Sequence, residues 1–163
     1  MQTTEHLVKE FEFRVFEESL ARIETCLSVL PDEALWIAPN TSTVSVGNLV
    51  LHTIGNARQW VVSGLGGVED VRDRNWEFVL HPELSKADLR SRIESTVVAL
   101  RATLRNLTDA DLNATKTIQG FEVSGFSILV HVIEHFSYHT GQLTLLTKLL
   151  KNHDLGYYSD FDF

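Results

Sequence analysis

The feature that most constrains this chain is a long helical segment near its C-terminus, predicted to run from about Ser124 or Phe126 to Lys151. An α-helix turns about 100° per residue, so residues three or four apart share one face. One face of this segment is apolar at both ends and polar in the middle, and it follows Ile128, His131, His135, His139, Gln142 and Leu146. A plain bundle helix would carry leucine at the middle positions, so this interruption marks candidate functional residues.

Three further segments repeat apolar residues at spacings of three and four, the pattern of a helix with one buried face. We predict helices over about Thr4–Leu30, Val46–Val62 and Lys86–Leu107. Two long connections remain, residues 65–85 and 108–124, and the second predicts a small hairpin around Gly120. Four helices with two long crossing connections predict an all-α fold, a four-helix bundle that forms a single domain over residues 1–163.

Composition and charge exclude several classes of protein. The chain has 163 residues and a formal net charge of −8, with no basic block of the kind that binds nucleic acid. No apolar run approaches the roughly 20 residues needed to span a bilayer, and the N-terminus does not resemble a signal peptide. The single cysteine, Cys26, cannot form a disulfide within one chain. We therefore expect a cytoplasmic protein that binds neither nucleic acid nor membranes.

The histidines of the last helix predict a metal site. Residues four apart lie one turn apart, so two neighbouring imidazoles can share one divalent ion. His131 and His139 are roughly 12 Å apart along the helix axis, too far to share an ion with bonds of about 2 Å. Two pairs remain open on this reasoning, His131 with His135 and His135 with His139.

The second predicted helix offers polar groups at matching positions. His52, Asn56 and Gln59 follow one of its faces. Buried polar groups are costly unless they are hydrogen-bonded or bound to a metal, so two helices with such faces predict a shared polar pocket. His52 is the candidate third ligand. Three imidazoles can hold Zn²⁺, Ni²⁺, Fe²⁺ or Mn²⁺ and leave positions for water, whereas ordinary hydrogen bonding of core histidines is the alternative.

The chain resembles the DinB-like superfamily, also called damage-inducible or YfiT-like, and looks like an uncharacterised branch of it. The resemblance rests on Leu51-His52 in the second helix and on the run from His135 through His139 to Gly141 and Gln142. The segments Asn56 to Trp60, Gly66-Gly67 and Asp70 to Arg74 are more particular to the branch. Together these pieces extend over nearly the whole chain.

This resemblance implies an up-up-down-down four-helix bundle, often a homodimer. The divalent ion is then held by His52, His135 and His139. His131 lies one turn away as a weak candidate proton carrier or as a core histidine. Asn56 and Gln142 would orient the ligands or a bound water, although interhelical hydrogen bonds are the alternative.

The resemblance also implies a metal-dependent enzyme that acts on a small-molecule substrate. Some members of the superfamily are transferases or isomerases that use a low-molecular-weight thiol, and a metal-assisted hydrolase is an equal variant. Arg72 and Arg74 are weak candidates for binding an anionic substrate, and a network with Asp70 and Asp73 that fixes the loop is the alternative. The competing class is a non-catalytic metal-binding or partner-binding bundle.

Overall fold

A computed structural model gives the fold over residues 2–159, and it is mostly helical. Met1 and residues 160–163, the two ends of the predicted domain, lie outside the described part. None of the helices within residues 2–159 is long and apolar enough to cross a membrane.

The first helix, α1, covers residues 2–29 in three consecutive segments. It is α-helical over Gln2–Phe11, π-helical over Glu12–Ser19 and α-helical again over Leu20–Val29. In the π-helical segment the hydroxyl of Ser19 donates to the carbonyl of Arg14, five residues earlier. The helix ends before Pro31, as predicted from the sequence, and a 3₁₀ turn over Asp32–Trp36 follows.

The second helix, α2, covers residues 46–65. Its α-helical part is Val46–Ala57 and its last turns, Arg58–Leu65, are π-helical. It begins at a capping box in which the Ser45 side chain accepts from the backbone of Asn48 while the Asn48 side chain accepts from the backbone of Ser45. Ser45 is therefore the N-cap of α2.

The remaining elements follow in short succession. A four-residue helix, α3, covers Arg74–Glu77, α4 covers Lys86–Leu104 and α5 covers Asp109–Asn113. Strands β1 (Thr115–Ile118) and β2 (Phe121–Ser124) pair antiparallel, with Thr115 opposite Ser124. The turn between them places Gln119 and Gly120 at positive φ, which confirms the hairpin predicted around Gly120. The long last helix, α6, covers Gly125–Lys151.

The contacts between helices correct the predicted order of directions. Glu24 pairs with Arg90 and Glu12 with Arg101, so α1 and α4 are antiparallel. The indole of Trp36 lies against Gly47 at the start of α2 and donates to the carbonyl of Leu84 before α4. At the other ends Gly66 lies against Thr103, so α2 and α4 are parallel, which an up-up-down-down bundle does not allow.

The contacts of α6 with α2 give the direction of the last helix. His52 contacts His135 and Asn56 contacts His131, so α2 and α6 are antiparallel and the four long helices run up-down-down-up. Only the connection over residues 66–85 returns along the bundle. The predicted second crossing, residues 108–124, stays at one end because Ile118 packs on Gly64 near the end of α2. The up-up-down-down order was implied by the resemblance. The residues gave no independent check on it, because helix periodicity reports which face is buried and not which way the helix points.

The core is apolar and draws on every long helix. Its largest fully buried side chains include Phe11, Ile23, Leu27, Leu35, Leu89, Leu100, Ile128, Leu129, Phe136 and Leu143. Buried polar residues concentrate on α2, where His52 and Asn56 are 8% and 5% exposed. The polar face predicted for this helix therefore lies inside the molecule, opposite the histidine face of α6.

Candidate metal centre

Three histidines from two helices converge on one point. His52 on α2 meets His135 and His139 on α6, and one nitrogen of each lies within 4.8 Å of the others. The Nε2 atoms of His52 and His135 are 3.2 Å apart. The structure therefore brings together the three histidines implied by the resemblance, and His131 is not part of the cluster.

The orientation of His52 is fixed by a residue that sequence reasoning missed. Its Nδ1 lies 2.9 Å from Oε2 of Glu77, and both side chains are nearly inaccessible to solvent. Glu77 belongs to the four-residue helix α3 in the long crossing connection. The available signal was a lone acid between two aromatic residues, Trp76 and Phe78, five residues after Arg72. That signal gives no distance, because the path of a loop is not encoded by periodicity.

Arg72 holds the Glu77 carboxylate through both of its oxygens. Nε of Arg72 lies 2.6 Å from Oε1, and Nη2 lies 2.7 Å from Oε2. Burial by itself raises the pKa of Glu77, but the hydrogen bonds from Arg72 and His52 outweigh it and lower the pKa below its usual value. The carboxylate is thus ionised and only accepts, so the proton of its hydrogen bond with His52 lies on Nδ1, and Nε2 is the atom that faces His135.

A chain of amides extends this ion pair to the rest of the connection. Nη1 of Arg72 donates to Oε1 of Gln59 at 2.8 Å, and Gln59 donates to Asp70 at 2.7 Å. Gln119 of the hairpin turn also donates to Gln59, at 2.6 Å. The Arg72 guanidinium, a weak candidate from the sequence for binding a substrate anion, faces Glu77 and Gln59. Its role as a substrate ligand stays a prediction. Asp73 instead caps α3 by accepting from the backbone of Trp76.

Two features of α2 hold Glu77 against His52. The side-chain amide of Asn48, one turn before His52, donates to the carbonyls of Glu77 and Val79 at 2.9 and 2.7 Å. Gly55, nearly one turn after His52, leaves the space in which the Glu77 carboxylate lies, because a Cβ there would overlap Oε1. Asn48 and Gly55 therefore act on the candidate site by positioning Glu77.

His139 is oriented from within its own helix. Its Nδ1 lies 2.7 Å from Oε1 of Gln142, three residues later. Since an amide oxygen only accepts, Nδ1 carries the proton and Nε2 presents its lone pair. Burial lowers the pKa of His139, and the hydrogen bond to Gln142 opposes the shift. Gln142 thus lies where the predicted orienting role requires, although that role stays a prediction.

His135 is the member of the cluster with the most perturbed protonation. Burial, together with the neighbouring His139, His52 and His131, lowers its pKa to about 2. Its Nδ1 is buried with no hydrogen-bond partner among the described residues. The imidazole is therefore neutral at physiological pH, the protonation state in which a histidine binds a metal.

His131 occupies a separate environment one turn away. Its ring stacks on Trp60, with centroids 3.9 Å apart, and its Nε2 lies 3.3 Å from the side-chain amide of Asn56. Burial lowers the pKa of His131, and exposed Glu134 opposes the shift. Asn56 thus contacts His131 and not a member of the cluster. Its predicted role toward the ligands, like proton carriage by His131, stays a prediction.

The donor set fits a divalent transition-metal ion. Bonds of 2.0–2.1 Å from one ion to two imidazoles place the nitrogens about 2.8–3.4 Å apart for angles between 90° and 109°. The 3.2 Å between Nε2 of His52 and His135 lies in this interval. No fourth His, Cys, Asp or Glu within residues 2–159 joins the group. Three imidazoles of this kind suit Zn²⁺, Ni²⁺, Fe²⁺ or Mn²⁺.

Aromatic residues flank the cluster on its solvent side. Phe78 lies 4.8 Å from the His52 ring and Tyr138 lies 5.0 Å from the His139 ring, measured between centroids. Both are exposed, by 37% and 66%. A cavity of about 630 Å³ between α2, α4 and the crossing connection reaches Arg72 and Glu77 but none of the three histidines. It is therefore not the space in front of the cluster.

Comparisons with known proteins identify the fold and the family. A DinB-like protein from Bacillus cereus is 20% identical, with a TM-score of 0.69 and coverage of 90% of this chain and 91% of its own. A DinB-like protein from Bacillus subtilis is 17% identical, with a TM-score of 0.67 and coverage of 94% and 97%. A conserved protein from Enterococcus faecalis is 16% identical, with a TM-score of 0.68 and coverage of 93% and 97%. Comparison with curated proteins gave no significant match.

Residues 3–159 match DUF1572, a family of proteins of unknown function, and the chain belongs to that family. Together with the DinB-like fold, this confirms the resemblance inferred from the sequence, an uncharacterised branch of the DinB-like proteins.

Proposed function

We propose that this DUF1572 protein is a divalent-metal-dependent enzyme whose ion is held by His52, His135 and His139. The observation that carries the proposal is the convergence of three imidazoles, two of which have Nδ1 committed to an acceptor and Nε2 available. When bound, a divalent ion supplies Lewis acidity and lowers the pKa of a coordinated water or thiol.

The protein's own residues would hold the imidazoles in the orientation that an ion requires. Glu77 accepts from Nδ1 of His52, Gln142 accepts from Nδ1 of His139, and burial keeps His135 unprotonated. Carboxylate and amide acceptors of this kind raise the basicity of a metal-binding histidine and limit its rotation. The ligand set is thereby preorganised before the ion arrives.

An enzymatic rather than a purely structural role is supported by the number of ligands and by the exposure of the site. Closed structural zinc sites have four protein ligands, whereas catalytic sites have three and leave a position for water or substrate. Exposed Phe78 and Tyr138 beside the cluster provide a surface for a small organic substrate. Within this proposal the reaction is hydrolysis or transfer to a low-molecular-weight thiol, and the protein is a homodimer.

The first test is metal content, measured by elemental mass spectrometry on untagged protein. We expect near-stoichiometric metal in the wild type and a large loss in His52→Ala, His135→Ala and His139→Ala. The matched control is His131→Ala, which removes a neighbouring histidine outside the cluster and should retain most of the metal. Equal losses in all four variants would overturn the ligand assignment. Absence of metal after incubation with Zn²⁺, Ni²⁺, Mn²⁺ and anaerobic Fe²⁺ would overturn the proposal.

The second test separates an enzyme from a metal-stabilised bundle. Loaded and chelated protein are compared for hydrolysis of p-nitrophenyl acetate and for conjugation of monobromobimane with cysteine, and oligomeric state is measured by light scattering. Activity that disappears on chelation and in His135→Ala supports catalysis. A large loss of thermal stability on chelation without any activity on these probes favours the non-catalytic alternative.

A further inference from the structure

Of the two arginines in the crossing connection, only one is available to a ligand. Arg72 is buried and pairs with Glu77 and Gln59. Arg74 begins α3 and is exposed, and its side chain has no ion pair or hydrogen bond within residues 2–159. Its guanidinium carbon lies 5.1 Å from the centroid of the Phe78 ring. The unpaired guanidinium of Arg74 therefore lies against Phe78, the aromatic residue that contacts His52.

The position of Arg74 relative to the cluster follows from two ring contacts. Phe78 contacts the guanidinium of Arg74 and the imidazole of His52, so a single aromatic ring separates the cation from the cluster. Val79 and Leu80, next to Phe78, are 56% and 49% exposed and extend its apolar surface. Contiguous apolar surface of this kind often marks a binding site when the patch is large.

The crossing connection carries charges of both signs, in a chain with a net charge of −8. Arg72 pairs with Glu77, and Asp73 caps α3 through the backbone of Trp76, whereas the side chain of Arg74 has no ion pair within residues 2–159. A bound divalent ion would add positive charge beside the Phe78 ring. An unpaired guanidinium attracts anions, and the effect is largest at low ionic strength.

We propose that Arg74 and Phe78 form a recognition site for the substrate of the histidine cluster, and that this substrate is an organic anion with an apolar body. This inference rests on the proposed function. The apolar body packs on Phe78 and beside Tyr138. A carboxylate or similar anionic group binds the guanidinium of Arg74, which the Phe78 ring separates from the cluster. Arg74 sets specificity, and it takes no part in holding the metal.

The test compares two probes of the same shape, 3-phenylpropionate and its neutral counterpart 3-phenylpropionamide. Affinity is measured by calorimetry at low salt for zinc-loaded and for chelated protein. We expect the carboxylate to bind about threefold to tenfold more tightly than the amide, the range of a partly exposed charged contact. Arg74→Gln should remove this preference, and Phe78→Ala should weaken both probes.

Arg105→Gln is the matched control, because Arg105 is an exposed arginine at the end of α4, away from the cluster, and its loss makes the same change in net charge. Equal effects of Arg74→Gln and Arg105→Gln would overturn the inference, as would equal affinity of the two probes or no binding by either. A preference that is lost on chelation but kept in Arg74→Gln would mean that the carboxylate binds the ion, which also overturns it. If the wild type holds no metal, the proposed function fails, yet the Arg74 comparison in the metal-free protein still decides this inference.

Discussion

Glu77→Gln tests whether the buried carboxylate supports both the fold and the histidine cluster. The substitution keeps the shape of the side chain but removes the charge that faces Arg72, which is itself 5% exposed. Breaking a buried ion pair from one side costs about 3–5 kcal/mol, because the remaining charge is left without a partner. For a domain with roughly 5–15 kcal/mol of stability, this is a large fraction of the total.

The effect on metal affinity has a different cause and can be separated from stability. Loss of the carboxylate that accepts from a metal-binding histidine typically lowers affinity about tenfold to a hundredfold. The double variant Arg72→Met with Glu77→Leu removes both charges, and such apolar replacements often restore stability. We expect this variant to regain much of the free energy of unfolding while its metal affinity stays low, because His52 lacks an acceptor on Nδ1.

The assays are urea unfolding of chelated protein and competition titration with a chromophoric chelator. Glu83→Gln is the matched control, because Glu83 also contacts a histidine, Nδ1 of His81 at 3.0 Å, but is exposed. It should leave both measurements unchanged. The reasoning is refuted if Glu77→Gln unfolds at the same urea concentration as the wild type, or if the double variant regains wild-type metal affinity.

Three further outcomes are expected. The pKa of His135 is about 2 in the folded state and about 6.5 in the unfolded state, so below pH 6.5 only the unfolded state takes up a proton at this residue. The free energy of unfolding of chelated protein should therefore fall with decreasing pH, by up to about 1.4 kcal/mol per pH unit for this group. Urea unfolding of His135→Ala should show a weaker dependence of this free energy on pH. Gly55→Ala should lower the free energy of unfolding by about 1–3 kcal/mol, because a Cβ at this position overlaps the Glu77 carboxylate. Gly141→Ala on α6 should raise it by about 0.5–1 kcal/mol, because a Cβ there meets nothing within 4 Å. Chemical denaturation measures both changes, and equal effects of the two substitutions would contradict this prediction. Zinc at 100 times its dissociation constant should stabilise the protein by about 2.7 kcal/mol in a thermal melt, and His139→Ala should abolish that shift.

The helical parts of the fold were predictable because their signals are local. Ser45 and Ser85 cap helices at positions close to the predicted starts, and Pro31 follows the end of the first helix. Period-3.6 apolar spacing and side-chain caps depend only on neighbours within one or two turns. The directions of the helices were predicted incorrectly, because they depend on where each connection leads, and residues 66–85 have no periodic pattern.

The candidate site likewise has a part that the sequence predicted and a part that required the structure. His135 and His139 are four residues apart on one helix, so their proximity is fixed by helix geometry. Glu77 and Asn48 meet only because the crossing connection folds back onto α2, a contact between residues 29 apart in sequence. Glu77 and Arg72, which orient His52, come from this connection, and their contacts with the cluster required the structure.

The hydrogen bonds that run from His52 through Glu77, Arg72 and Gln59 to Gln119 also have a consequence for local opening. Surface connections normally open far more often than helical cores, and amide hydrogen exchange records each opening. An ion bound to His52 would fix the orientation of its ring and so stabilise the hydrogen bonds of this chain. Local opening of residues 66–77 would then cost more free energy. Exchange would then slow in that segment and in the hairpin tip, at amides that belong to no metal ligand. The protection pattern of the loaded protein would outline the crossing connection more clearly than the helices that carry the histidines.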